Sequence, residues 1–154
     1  MGGQRNSHLI LKSPLYDSDG QFSPSIHWIA YTSRERGPSQ VFATPFPGPG
    51  PRVRISTTGG SAPVWRRDGT IILYMNDSGT VLEETEVQER GSELLLGKTR
   101  HRALRTGVIP AFQGSPFDTA RDGRILFLGR GDQNNTQACV GRELERGAEE
   151  ITVA

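Results

Sequence analysis

Apolar residues in this chain come in short clusters separated by turn residues, never in the long stripes of amphipathic helices. The clusters are His8–Leu11, Trp28–Tyr31, Gln40–Ala43, Val53–Ile55, Ile71–Tyr74, Ile125–Leu128 and Ile151–Val153. They are strand-length, rich in β-branched and aromatic residues, and too short to make stable helices. Between them stand Asp17-Ser18-Asp19-Gly20, Arg36-Gly37-Pro38-Ser39, Pro47 to Pro51, Thr58-Gly59-Gly60, Asp68-Gly69, Asn76-Asp77-Ser78-Gly79 and Asp122-Gly123. These residues supply the positive φ that tight hairpin turns require. Two stretches offer weak helical alternatives. Glu83–Arg90 continues an alternation of Val81, Glu83, Thr85 and Val87 that fits a half-exposed strand better, and Gly141–Glu149 has almost no apolar face. The pattern predicts an all-β meander.

An internal repeat organises these strands. Pro63-Val64-Trp65-Arg66-Arg67-Asp68-Gly69 followed by Ile71–Tyr74 aligns with Pro116–Gly123 followed by Ile125–Leu128, with one residue slipped before the turn. Gln21–Tyr31 is a third copy, with Ser25-Ile26 where the others carry Asp-Gly. The spacings are 43 residues from Ser25 to Asp68 and 54 from Asp68 to Asp122. The first is the length of a four-stranded propeller blade, and the second predicts a blade with a longer connection over Gly97–Gln113.

With Phe22-Ser23-Pro24, Trp28–Ser33, Pro45–Gly50, Ile55-Ser56-Thr57, Gly59-Gly60 and Pro63–Gly69 in place, the chain resembles the TolB-type, WD-repeat-like six-bladed β-propeller. More narrowly, it resembles the C-terminal half of the propeller that follows the kinase domain in many bacterial Ser/Thr kinases. The resemblance implies three antiparallel four-stranded blades, at about 16–57, 58–105 and 106–154, with 8–12 an additional outer or closing strand. Trp28, Tyr31, Trp65, Asp68, Gly69, Tyr74, Asp122 and Gly123 are then the structural residues of the repeat, the two tryptophans packing between blades. Propellers close with four to eight blades, whereas three leave two blade faces open. A homodimer completing a six-bladed ring would cover them.

Composition narrows the function. Nineteen Gly and ten Pro in 154 residues make a turn-rich chain, still short of the share that signals disorder. Eighteen Lys and Arg oppose seventeen Asp and Glu, a net charge of +1 that, with few aromatics interleaved among the basic residues, argues against nucleic-acid binding. No apolar run is long enough to cross a bilayer, and the first residues lack the apolar core of a secretory signal. The expectation is a cytoplasmic protein without membrane insertion, although the resembling propellers are often extracytoplasmic. Cys139, the single cysteine, cannot form an intramolecular disulfide and reads as a small buried hydrophobe.

Chemical motifs are sparse. The chain contains no nucleophile elbow, no phosphate-binding Gly-rich loop with Lys and Ser/Thr, and no kinase signature set. His8, His27 and His101 lack zinc-ligand spacing, and Asp17–Gly20 departs from a calcium loop after its first positions. Neither a metal nor a cofactor is expected. Two basic clusters remain: Arg66-Arg67 in a turn, and Lys98, Arg100, His101, Arg102 and Arg105 in the long connection. Arg66, Arg67, Arg100, His101 and Arg102 are the candidate binding residues for an anionic ligand or peptide, weighed against a solvated loop neutralised by Glu83, Glu84, Glu86 and Glu89. The expectation is a non-enzymatic module that binds a protein, peptide or small ligand at the rim or channel. One alternative is a hydrolase or lyase whose active site assembles between two half-rings, with Asp118 and Asp17 as candidates. Another is a fragment of a kinase-linked sensor propeller without separate function.

Overall fold

Strands alternating with tight turns build three antiparallel sheets. The computed structural model describes residues 16–35, 37–103, 116–130 and 136–142, with 128–130 and 136–142 described by backbone alone. The first sheet runs β1 (Asp17–Phe22), β2 (Trp28–Ser33), β3 (Gln40–Pro45) and β4 (Val53–Arg54), each strand paired with its neighbour in sequence. The second runs β5 (Ser61–Trp65), β6 (Ile71–Met75), β7 (Val81–Arg90) and β8 (Glu93–Ala103) in the same manner. The third has β9 (Phe117–Thr119), β10 (Arg124–Arg130) and β11 (Thr136–Arg142), with β10 in the middle. The chain is therefore all-β, and its four-stranded antiparallel meanders have the form of a partial β-propeller. His8–Lys12 and Ile151–Val153 lie outside the described residues, and so do residues 143–149 of the second helical alternative. No helix among the described residues is long and apolar enough to cross a membrane.

The continuous apolar runs are central strands covered on both faces. Every residue of β2 and of β6 is buried; β6 lies between two neighbouring sheets, whereas β2 packs on the second sheet with one face and on its other face Tyr31 stacks on Phe42, whose ring Arg52 covers. One face of the second sheet joins the first through Trp28, Ala30, Val41, Ala43 and Ile55, which pack with Trp65, Ile72, Tyr74, Val87 and Leu94. The other face joins the third through Val64, Ile71, Leu73, Met75 and Leu82, which pack with Phe117, Ile125 and Phe127. Alternate residues of β6 thus serve opposite sheets, the direct consequence of a period of two. Trp28 and Trp65 lie in the same inter-sheet core.

The three repeat copies share one turn geometry. In the second copy the Gly69 N–H donates to the Arg66 carbonyl at 2.9 Å, and Arg66 N–H to the Ile71 carbonyl at 2.9 Å. In the third, Gly123 N–H reaches the Ala120 carbonyl at 3.3 Å and Ala120 N–H the Arg124 carbonyl at 2.8 Å. In the first, Ile26 N–H reaches the Ser23 carbonyl at 2.9 Å and Ser23 N–H the Trp28 carbonyl at 2.8 Å. The third residue of each turn accepts from the backbone two positions on: Asp68 from Thr70 at 3.0 Å, Asp122 from Arg124 at 3.2 Å, and Ser25 from His27 at 3.3 Å. The fourth residue is left-handed in all three, φ being 74° at Gly69, 81° at Gly123 and 64° at Ile26. Ser25-Ile26 therefore makes the turn of its Asp-Gly counterparts, but with a β-branched residue where glycine is unstrained. Ile26 is 59% exposed and gains little from burial there. Replacing it by asparagine, which tolerates this conformation, is expected to stabilise the protein by about 1 kcal/mol, read from the urea midpoint.

Three expectations are corrected. Asp17–Gly20 is not a turn between strands but part of β1, where the pairing with β2 is interrupted between Ser18 and Gln21 and Asp19 takes φ 56°. This is a β-bulge, which uses the same turn-forming residues inside a ladder. The alternation through Val81–Val87 does mark a strand, yet it is not half-exposed: Leu82, Glu83, Glu84 and Thr85 are all buried. The predicted long connection over Gly97–Gln113 begins instead with β8, which pairs along β7 as far as Ala103. The physical reason for the last two is the cross-strand pairing of opposite charges described next.

Candidate functional site

The β7–β8 hairpin places carboxylates opposite cations. Glu83 faces His101, Glu84 faces Arg100, and the register then shifts between Thr85 and Val87. Arg102, directly opposite Leu82, sits diagonally from Glu84 on the same face. Arg102 Nη2 lies 2.8 Å from Glu84 Oε1, Arg100 Nη2 lies 3.1 Å from Glu86 Oε1, and His101 Nδ1 contacts Glu83 Oε2. Glu83 and Glu84 are buried, at 7% and 4% exposure, so the Arg102–Glu84 pair is part of the packing, whereas Arg100–Glu86 lies at the surface and His101 reaches Glu83 from solvent. Arg100, His101 and Arg102 are thus strand residues engaged with acids, not a loop cluster. Lys98 lies on the same strand, and Arg105 is outside the described residues.

The turns after the inner strands β1, β5 and β9 stand side by side. A Cβ on Gly69 would come within 3.8 Å of the Pro24 ring, so the first and second turns abut. Arg67 Nε donates to the Thr119 carbonyl at 3.3 Å, and Thr119 Oγ1 to the Trp65 carbonyl at 3.4 Å, joining the second and third. Ser25 Oγ donates to the Glu89 carboxylate at 2.7 Å, and His27 Nδ1 lies 3.6 Å from it, tying the first turn to the far end of β7.

Charges along this rim are unequally satisfied. Arg66 is 2.7 Å from Asp68 and donates to Thr70 Oγ1 at 2.6 Å; Arg124 Nε donates to Asp122 at 2.8 Å. Arg67 and Arg121 occupy the same position of successive turns, both are exposed, and no acidic side chain among the described residues pairs with either. Arg121 is not among the candidate binding residues of the sequence, although the alignment of repeat copies places it opposite Arg67.

Burial pushes the Asp68 carboxyl up, but hydrogen bonds from Arg66 and Thr70 outweigh it and hold the pKa down at about 2. Asp122 is lowered chiefly by the Arg124 backbone N–H. A carboxylate whose pKa is depressed on folding contributes stability above its unfolded value, near 4, that is lost as pH falls through the folded value. Asp68→Asn should therefore flatten the loss of stability between about pH 4 and pH 2, measured by urea unfolding at stepped pH.

Arg66 also reaches an open groove of about 640 Å³ that it lines with Arg100, Thr70, Leu95 and Leu96. The structure thus brings together one member of each predicted basic cluster, with both guanidiniums paired. Asp17 and Asp118, the candidate catalytic carboxylates, are on the inner strands of different sheets with β5 between them. One Asp17 carboxylate oxygen is buried without a hydrogen bond, whereas Asp118 is exposed and accepts from Thr119 N–H at 2.7 Å. Among the described residues no three His, Cys, Asp or Glu side chains group as metal ligands.

No protein-family profile matches the chain, and no curated protein matches it. Among solved structures, the crystal structure of TolB from Acinetobacter baumannii is similar over 86% of this chain and 42% of that one, at 16% identity and a TM-score of 0.42. The likeness is to a β-propeller, and it concerns the fold alone. The chain spans less than half of that protein's length.

Proposed function

We propose that the chain is a non-enzymatic interaction module that presents the rim of its inner turns to a protein or peptide, and that a second copy completes the ring. The observation that carries the reading is the rim itself: three turns of one geometry, fixed to one another by contacts and hydrogen bonds, set adjacent sheets' exposed side chains at one edge. Rigid presentation of loop residues is what a binding scaffold supplies. The resemblance to kinase-linked propellers, where such a unit would be half of a ring, supports the same use. For closure, Leu126 lies on β10 between Ile125 and Phe127, which pack toward the second sheet, and it is 42% exposed. By strand alternation it faces away from that sheet, where a further blade would sit.

The alternative chemistry has a direct test. A panel of chromogenic esters, phosphates and glycosides is expected to show no turnover that depends on Asp17 or Asp118. Turnover lost in both Asp17→Asn and Asp118→Asn would contradict the reading and make the carboxylates catalytic.

A further inference from the structure

We propose, on the basis of the interaction reading, that the turn rim recognises an acidic peptide segment carrying a bulky apolar residue beside its carboxylates. Arg67 and Arg121 supply the charge. They occupy equivalent positions in neighbouring turns, and the Arg67 side chain lies along the backbone that leads into the Arg121 turn. Of the acids in and beside the turns, Asp68 is held by Arg66, Asp122 by Arg124 and Glu89 by Ser25 and His27, while exposed Asp118 accepts from the Thr119 N–H and pairs with neither arginine. Two guanidiniums are left to receive carboxylates, for which their forked donors are suited.

The first turn supplies the apolar part. It abuts the Arg67 turn through Pro24 and holds Ile26 outward, 59% exposed, at a position where both other turns have glycine. Phe22, 51% exposed, precedes the same turn and meets Phe46 edge-on at 5.0 Å. An exposed isoleucine held in a left-handed conformation is strain without a folding return, and such strain concentrates where a side chain is needed for binding. A polyanion such as nucleic acid fits less well, because Asp68, Asp122 and Glu89 would oppose a continuous line of phosphates. A short segment can place one or two carboxylates between them.

The test is selection of a random dodecapeptide phage library on the immobilised full chain, followed by anisotropy titration of labelled peptides with the enriched sequences. Those sequences are expected to carry Asp or Glu within a few residues of Leu, Phe or Trp. Arg67→Ser with Arg121→Ser should weaken binding on the order of tenfold or more, and Ile26→Asn by several-fold with no loss of thermal stability. Enriched peptides that lack acidic residues, or that bind both variants as well as wild type, would overturn this inference while leaving the interaction reading intact. Failure to enrich any peptide would overturn both. Single-stranded DNA that binds and is lost with the same arginines would replace the peptide by a polyanion.

Discussion

Trp28→Ala is expected to cost about 3–5 kcal/mol, the largest effect of any single apolar truncation among the described residues. The indole is 2% exposed and lies where the first and second sheets share one core, so alanine leaves a void bounded by both. Neighbours such as Val41, Ile55 and Ile72 are held by backbone hydrogen bonds and strand pairing and cannot collapse freely into the space. Trp65 gives a useful contrast within the same cluster. Its indole N–H is buried without a hydrogen bond, so Trp65→Phe discards a donor that contributes nothing and should cost less than Trp65→Ala. Equilibrium urea unfolding of the three variants measures this directly.

Arg102→Ala is expected to cost about 3–5 kcal/mol through a different mechanism. The Glu84 carboxylate sits between the second and third sheets, at a cavity of about 10 Å³ lined by Arg66, Ile71, Leu73, Thr119 and Ile125. Removing Arg102 takes the 2.8 Å ion-pair partner from a carboxylate that is 4% exposed, and the cost is its weaker compensation for desolvation rather than the attraction forgone. The double variant Glu84→Leu, Arg102→Leu removes charge and counter-charge together and should unfold within about 1 kcal/mol of wild type. Exposed Arg100, paired with Glu86 at the surface, should by comparison cost less than about 1 kcal/mol when changed to alanine. A thermodynamic cycle across the four Glu84 and Arg102 states separates the two terms.

The contrast between Arg102 and Arg100 also shows what the sequence could and could not reveal. Strand and turn positions were legible where local chemistry determines them: Asp68-Gly69 and Asp122-Gly123 need glycine at the fourth place and an acceptor at the third. Ser25-Ile26 is recognisable as their counterpart from the flanking Gln21–Pro24 and Trp28–Tyr31, and the structure shows Ser25 supplying the acceptor. The outer hairpin was not legible, because Lys98, Arg100, His101 and Arg102 read as a solvated connection until the facing carboxylates and the register shift are known. Long-range pairing of that kind has no signature in either strand alone. The same limit applies to the rim. Arg66 and Arg67 stand out as a basic pair, but only the structure shows that Arg66 is taken up by Asp68 while Arg67 reaches the Thr119 carbonyl beside the next turn.

The bulged β1 is an intermediate case. Its Asp, Ser and Gly residues predict a turn, and of them only Asp19 has positive φ. They were misplaced because a bulge and a turn draw on the same residues, and only the pairing of Asp17 with Ser33 and of Phe22 with Ile29 distinguishes them.

The proposal that three blades form half of a ring is tested most directly by light scattering coupled to size-exclusion chromatography. At micromolar concentration the chain should elute as a single species of twice its 16.9 kDa mass, and Leu126→Arg should convert it to monomer without lowering its thermal midpoint. A monodisperse wild-type monomer under the same conditions would contradict closure by a second copy.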